Sequence, residues 1–285
     1  MKRLDRRALF ATGAAAALLA ATGTSLAHQP RRGGVLRMAV PREGELLSRI
    51  ARSAIYDQLT EVAPDGLLRG ELAAAWESDV TAREWRIELQ ANITFHDGAD
   101  LTAEDVASSL EAHVHSGNAS LKGLRDLKVS GDGDVVLSLH DANPDLPYRL
   151  ADAGLIIAPA GQVTAPLSEM TGTGLYRVER AQEDRHLRAL RVDQHYKDGL
   201  AGWFDALEFV VIPDAGVRAE ALRDGYVDIA ALPLPDGLPN RSEFSYYPSE
   251  SDMVLAASQK IALPSRISKR ASFDDHRIAE RWWMA

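Results

Sequence analysis

Residues 71–106 constrain the fold most strongly, because they combine the signals of a strand, a turn and a helix start in one run. Apolar and polar residues alternate over residues 85–89, and this period of two predicts a half-buried strand. Residues 95–98 (Phe-His-Asp-Gly) predict a turn, since Asp and Gly favour tight turns. Thr102 and Asp105 have the spacing of a helix capping box. The run therefore predicts a strand, then a turn, then a helix.

A second region predicts a parallel sheet. Residues 209–212, 216–224 and 227–231 have the patterns of a strand, a helix and a strand. Such a unit sets its two strands parallel and joins them by a right-handed crossover. Val35 to Val40 is predicted to be the first strand, and apolar spacing over residues 45–59 predicts a helix.

Other segments predict antiparallel pairs. Residues 126–130 and 134–139 flank Gly131-Asp132-Gly133, which is typical of a hairpin turn. Two further alternating strands are predicted at residues 176–180 and 187–192. Together with the parallel unit, these pairs predict a mixed α/β fold.

Several of these motifs together resemble family 5 of the extracytoplasmic solute-binding proteins, the periplasmic receptors that deliver peptides, nickel chelates and related solutes to ABC importers. The matching motifs, in chain order, are Leu72-Ala73 with Trp76, the strand at 85–89, Phe95-His96-Asp97-Gly98, Leu101 to Val106, Gly172-Thr173-Gly174-Leu175-Tyr176, Asp224-Gly225-Tyr226-Val227-Asp228 and Ser272 to Ala279. Leu175 stands where the family has a proline. The resemblance covers about residues 33–280.

The resemblance implies an α/β fold, namely a periplasmic-binding-protein type II-like lobe with a mixed sheet and flanking helices. Residues 28–285 are expected to form this lobe I, with an inserted antiparallel-rich subdomain at about 60–165. Trp76, Trp85 and Phe95 are expected to be buried there. Residues 272–285 are expected to be a remnant of the helix that opens lobe II, and the second lobe is expected to be absent.

The first 27 residues have the pattern of an export signal. A basic start precedes an apolar run, and Ser25-Leu26-Ala27 offers small residues for cleavage after Ala27. Adjacent Arg6 and Arg7 indicate either a twin-arginine signal or an ordinary secretory signal. The expected location is the periplasm of a Gram-negative cell, as a soluble protein.

Composition narrows the partners. The chain has no cysteine, which excludes disulfides, thiolate catalysis and a cysteine lipid anchor. Its formal charge is −9, and removal of residues 1–27, with four basic residues and one acidic residue, makes it −12. Such a surface argues against nucleic acid as a partner.

The sequence predicts no enzyme activity, no cofactor and no metal site. Neither a serine elbow nor a phosphate-binding glycine loop occurs. In the helix after Thr102, Val106, Leu110 and Val114 are predicted to share the apolar face. His113 and His115 are two residues apart, which points them to different faces.

Solute is expected at the carboxyl edge of the sheet, where ligands bind open α/β sheets. The resemblance implies two groups of solute-facing residues there: Pro41, Arg42 and Glu43 after the first strand, and Gly172, Thr173, Gly174 and Tyr176 near the hinge. The alternative is that both groups are ordinary surface turns.

The favoured function is the periplasmic substrate-binding component of an ABC transporter for peptides or related solutes, in a truncated or single-lobe form. Its partners would be a peptide or other small solute and the membrane permease subunits. Two alternatives remain, a non-transporting adaptor lobe and a fragment of a split receptor gene. Trp282 and Trp283 also suggest self-association, or a partner chain that supplies lobe II.

Overall fold

The computed structural model describes residues 32–63, 66–233, 244–248 and 253–258. The predicted signal at residues 1–27 and the segment at 272–285 with its two tryptophans lie outside these ranges. Within them, no helix combines the length and the apolar character needed to cross a membrane.

The centre of the fold is strand β1 (Val35–Val40), which has the predicted bounds. Leu36, Met38 and Val40 point into one apolar core, whereas Ala39 points into another on the opposite face. A strand that is buried on both faces belongs in the middle of a sheet.

Seven described strands form one mixed sheet around β1, in the order β12-β13-β11-β1-β10-β9-β8. Their bounds are β8 (Tyr176–Gln182), β9 (His186–Arg191), β10 (Ala206–Val211), β11 (Ile229–Pro233), β12 (Phe244–Pro248) and β13 (Met253–Ser258). Strand β1 is parallel to both β10 and β11, and the other pairings are antiparallel.

Helices cover both faces of this sheet. Helix α1 (Leu46–Ile55) contributes Ile50 and Ala54 to the core that contains Met38. Helix α4 (Ala215–Arg223) packs Leu222 on the other face, with Ala39. The predicted βαβ unit is confirmed as β10-α4-β11, but β1 lies between its two strands.

Residues between β1 and β8 build two further sheets. One pairs β2 (Thr60–Val62) with β3 (Leu68–Gly70), and the other has the order β4-β5-β7-β6. The latter's strands are β4 (Ala73–Ser78), β5 (Glu84–Leu89), β6 (Leu124–Val129) and β7 (Val135–Leu139). All these pairings are antiparallel. The boundaries of the inserted subdomain, about 60–165, stay a prediction.

Helix α2 (Ala103–His115) packs on the four-stranded sheet and begins as predicted. The Asp105 amide donates to Thr102 Oγ1 at 3.2 Å, and the Thr102 amide donates to Asp105 Oδ2 at 3.0 Å. The predicted apolar face is wrong at its last position, because Val114 is 40% exposed. His113 is buried instead, with Nε2 2.9 Å from the Ile156 carbonyl oxygen, while His115 is exposed. Helix α3 (Leu146–Arg149) is a single turn.

The burial predicted for three aromatic residues is confirmed for two. Trp85 is 7% exposed and Phe95 is 3% exposed. Trp76 is only half-buried, because β4 is an edge strand of the four-stranded sheet and one side of it has no neighbouring strand.

Candidate functional site

The carboxyl edge of the large sheet contains a topological switch point. Strands β1 and β10 are adjacent and parallel. The chain runs from β1 into helix α1 and from β10 into helix α4, and these two helices lie on opposite faces of the sheet. At such a point the two connections diverge and leave a crevice outside the carboxyl ends of the strands. The switch-point crevice is defined here by residues 41–45 and 212–217.

One wall of the switch-point crevice is the connection from β1 to α1. Pro41 is buried, whereas Arg42 and Glu43 are exposed. Gly44 has φ of +79°, a backbone conformation that glycine adopts without strain and that turns the chain into the helix. Glu45 precedes α1 but makes no side-chain capping bond, so its side chain satisfies none of the first amides of this helix.

The other wall is the connection from β10 to α4. Asp214 caps α4 by accepting a hydrogen bond of 2.9 Å from the Val217 amide. Val217 is 50% exposed at the start of the helix. The two walls therefore differ. Asp214 accepts a hydrogen bond at the start of α4, whereas no side chain at the N-cap of α1 does so.

Arg218 joins β11 to the residues that follow β10 beneath this crevice. Its Nε donates to the Ala231 carbonyl at 2.6 Å, and its Nη1 donates to the carbonyls of Ile212 and Pro213 at 2.6 and 2.8 Å. The residue is 3% exposed. Burial lowers the pKa of Arg218, and the carboxylates of Glu43 and Asp214 oppose that change. A buried guanidinium thus ties the middle of β11 to the residues that follow β10, close to Glu43.

The second predicted group of solute-facing residues lies at the opposite edge of the sheet. Arg177 near the start of β8 pairs with Leu190 of β9, and Leu190 pairs with Ala206 of β10. Ala206 pairs with Val35 at the start of β1, so the start of β8 lies at the same edge of the sheet as the start of β1. Gly172, Thr173, Gly174 and Tyr176 therefore lie at the amino edge of β1. The antiparallel pairings β10-β9 and β9-β8 make β8 run in the same direction as β10 and β1. The prediction that these residues face solute at the carboxyl edge is therefore wrong.

The glycines of this segment serve close packing against helix α1. A Cβ on Gly172 would lie 2.1 Å from the Ile55 carbonyl oxygen, and one on Gly174 would lie 2.7 Å from the Ile55 carbonyl carbon. The Gly174 amide donates to the same Ile55 oxygen at 2.9 Å. Nothing larger than glycine fits where the helix end meets this segment.

Two histidines hold the same segment from its other side. His96 donates from Nε2 to the Gly174 carbonyl at 2.8 Å, and its Nδ1 lies 3.4 Å from the Gly172 amide nitrogen. His195 donates from Nε2 to the Thr173 carbonyl at 2.9 Å, and its Nδ1 accepts from the Lys197 amide at 3.1 Å. Burial lowers the pKa of His96. Both rings thus hold backbone groups of this segment in place.

Tyr176 belongs to the core. It is 0% exposed, and its hydroxyl donates to the Phe204 carbonyl at 3.0 Å. Burial raises the pKa of Tyr176. Direct contact between this side chain and a solute is therefore excluded in this arrangement.

Sequence reasoning missed a buried polar network at the junction of the sheets. Lys197 donates to Glu61 Oε2 at 2.9 Å and also to Glu71. Asp57 accepts a hydrogen bond of 3.0 Å from the Thr173 hydroxyl. No local pattern marks these residues, because their partners come from distant parts of the chain. Across the ranges that the structure describes, no group of three or more side chains is arranged to hold a metal ion.

Comparisons with known proteins bear on the family and the fold. The family model described as bacterial extracellular solute-binding proteins, family 5 Middle, matches residues 68–273. The uncharacterized protein YhjP of Bacillus subtilis is 30% identical over 149 residues, which are 51% of this chain and 24% of that protein. The probable D,D-dipeptide-binding periplasmic protein DdpA of Escherichia coli is 28% identical over 197 residues, covering 63% of this chain and 38% of DdpA.

A solved structure shows the same fold. The binding protein AgaA from Agrobacterium tumefaciens R10, in complex with agropinic acid, superposes with a TM-score of 0.64 at 24% identity. The match covers 75% of this chain and 48% of AgaA. The chain thus spans about half, or less, of the length of these relatives.

Proposed function

This chain belongs to family 5 of the bacterial extracellular solute-binding proteins, and from that premise we propose that it is a solute receptor of an ABC importer. Members of this family are binding proteins and not enzymes. The proposed solutes are peptides or related small molecules, and the proposed partners are the membrane permease subunits. The proposed location is outside the cytoplasm, in the periplasm, after cleavage of residues 1–27.

The observation that carries this proposal is the topological switch point between β1 and β10. Open α/β sheets bind ligands outside the carboxyl ends of their strands at such a point. Arg42 and Glu43 are exposed there beside the buried Arg218, so the crevice offers charged groups of both signs. Peptides carry charges of both signs at their termini, which this arrangement suits.

We assign the direct contacts to Arg42 and Glu43, with buried Pro41 shaping the turn between strand and helix. Arg218 acts as a positioning residue, because its hydrogen bonds tie β11 to the residues that follow β10 and Glu43 lies within its electrostatic reach. Gly172, Thr173, Gly174 and Tyr176 lie at the amino edge of β1, away from this crevice.

The experiment is calorimetric titration of the full chain with a library of short peptides. The expected result is saturable binding that weakens at least about tenfold in Arg42→Gln and in Glu43→Gln. Arg125→Gln and Glu88→Gln are the matched controls, since both residues are exposed on the four-stranded sheet and away from the crevice. Equal loss of binding in the controls, or no loss in the crevice variants, would overturn the assignment.

We further propose that a second lobe covers the crevice during binding, by hinge motion of the kind that closes two-lobed receptors. A partner chain or a second copy of this chain would supply it. Sedimentation velocity with and without saturating peptide tests this proposal. A complex that forms or tightens with peptide supports it, whereas submicromolar binding by a strict monomer would contradict it.

A further inference from the structure

A second cleft lies at the amino edge of the sheet, at the opposite end of β1 from the switch-point crevice. It has a volume of about 530 Å³ and lies between residues 91–98, 173–177 and 192–198. We call it the amino-edge cleft. Its size is within the range of about 300–1,000 Å³ that is typical of small-molecule sites.

The lining of the amino-edge cleft combines apolar and polar groups. Ile93 and Phe95 line it and are 7% and 3% exposed. Tyr196 lines it as well, and its ring stacks on His195 with centroids 4.2 Å apart. His96 and His195 are already bonded to backbone groups through both ring nitrogens. The imidazoles therefore shape the cleft, and their ring nitrogens already have backbone partners.

Two charged side chains of opposite sign line the same cleft. Arg177 is on β8, and Asp193 follows the end of β9. In the part of the chain that the structure describes, neither one makes a hydrogen bond or an ion pair. Asp198 also lines the cleft, but it is paired with Arg32 and Arg191. Arg177 and Asp193 are thus the two charges at this cleft that remain open to a ligand.

We propose that the amino-edge cleft binds a small zwitterion of amino-acid size. Its carboxylate pairs with Arg177, since a guanidinium presents parallel donors that match a carboxylate. Its ammonium group pairs with Asp193, and its apolar part lies over Ile93 and Phe95. A ligand with a single charge would be attracted by one of these residues and repelled by the other, which favours a zwitterion over a simple anion or cation.

The test uses the full chain labelled with ¹⁵N and three matched probes. L-leucine carries both charges, 4-methylpentanoate lacks the ammonium group, and 3-methylbutylamine lacks the carboxylate. The expected result is that L-leucine gives saturable chemical-shift changes at the amides of Asn92, Gly98 and Gln194, with affinity at least about tenfold higher than either singly charged probe. Equal affinity for the three probes would overturn the proposal.

Variants separate this cleft from other sites. Arg177→Gln and Asp193→Asn should each weaken L-leucine binding at least about tenfold. Arg180→Gln on the same strand and Asp184→Asn in the turn after β8 should leave it unchanged, since both residues are exposed and neither lines the cleft. Changes confined to the amides of Gly44 and Gly216 would place L-leucine in the switch-point crevice, and would overturn the present proposal while supporting the proposed function.

Discussion

Lys197 donates a hydrogen bond to Glu71 across 126 residues of sequence, and the two residues are 5% and 0% exposed. Glu71 also accepts from the Gln58 amide at 2.9 Å, and Lys197 also contacts Glu61. This pair joins the connection after β9 to the strand pair β2-β3. A buried ion pair of this kind fixes a tertiary arrangement more than it adds net stability.

Removal of one partner should be strongly destabilising. Lys197→Met leaves two carboxylates without their cation, and we expect it to lower the free energy of unfolding by about 3–5 kcal/mol. Urea denaturation measures this change. Lys197→Met combined with Glu71→Leu should cost less than the sum of the single changes. Arg188→Ala, which breaks an exposed pair with Glu179, is the control, with an expected cost of about 1 kcal/mol or less.

The tight contact between Gly172 and the end of α1 predicts a second effect on stability. Gly172→Ala would place a methyl group 2.1 Å from the Ile55 carbonyl oxygen, so backbone must move. We expect a loss of about 1–3 kcal/mol, as overpacking usually causes. Gly131→Ala is the matched control, because no atom lies within 4 Å of the added methyl. Equal thermal unfolding temperatures for the two variants would contradict the packing role.

Local signals in the sequence predict local structure well in this chain. The bounds of β1 follow from an apolar run ended by Pro41, and the start of α2 follows from the capping box of Thr102 and Asp105. Both depend on residues that lie within a few positions of each other. The strand, helix and strand patterns of the β10-α4-β11 unit are local in the same way, because each lies within one short run of residues.

Arrangements that depend on pairing between distant segments could not be predicted in this way. No local pattern indicates that β1 inserts between β10 and β11, or that Tyr176 starts its strand at the amino edge. The partners of Lys197 are equally invisible, since they lie more than 100 residues away. Pro41, Arg42 and Glu43 follow β1 as predicted, and their contact with solute stays a prediction. The prediction for the second group is wrong, because Tyr176 and its neighbours lie at the amino edge.

The different burial of two tryptophans predicts different costs of truncation. Trp85→Ala should lower the free energy of unfolding by about 3–5 kcal/mol, because the ring is buried between β5 and its neighbours. Trp76→Ala should cost clearly less, since that ring is half-buried on an edge strand. Urea denaturation of both variants checks the order, and a reversed order would show that the strand positions are wrong.

Export can be tested by changing the two adjacent arginines near the amino terminus. If the signal is of the twin-arginine type, Arg6→Lys combined with Arg7→Lys should abolish export, whereas an ordinary secretory signal should tolerate the change. Mass spectrometry of the periplasmic fraction reads the result. A mature chain that begins at His28 is expected for the unmodified protein, and a retained amino terminus would contradict cleavage after Ala27.

The lowered pKa values of one buried and one partly buried histidine predict acid sensitivity. Burial lowers the pKa of both His96 and His113 below the ordinary value of 6.5. At pH values between 6.5 and the lowered pKa values, the unfolded chain binds more protons than the folded chain. The free energy of unfolding therefore falls as the pH falls. The contribution of these two histidines to the free energy of unfolding is fully present above about pH 6.5 and is lost progressively below it. Urea denaturation at a series of pH values should therefore show a decline starting near pH 6.5.

His113→Gln should flatten this decline, whereas His115→Gln, which removes an exposed imidazole from the same helix, should leave its slope unchanged. A decline of equal steepness in both variants would show that other groups cause it.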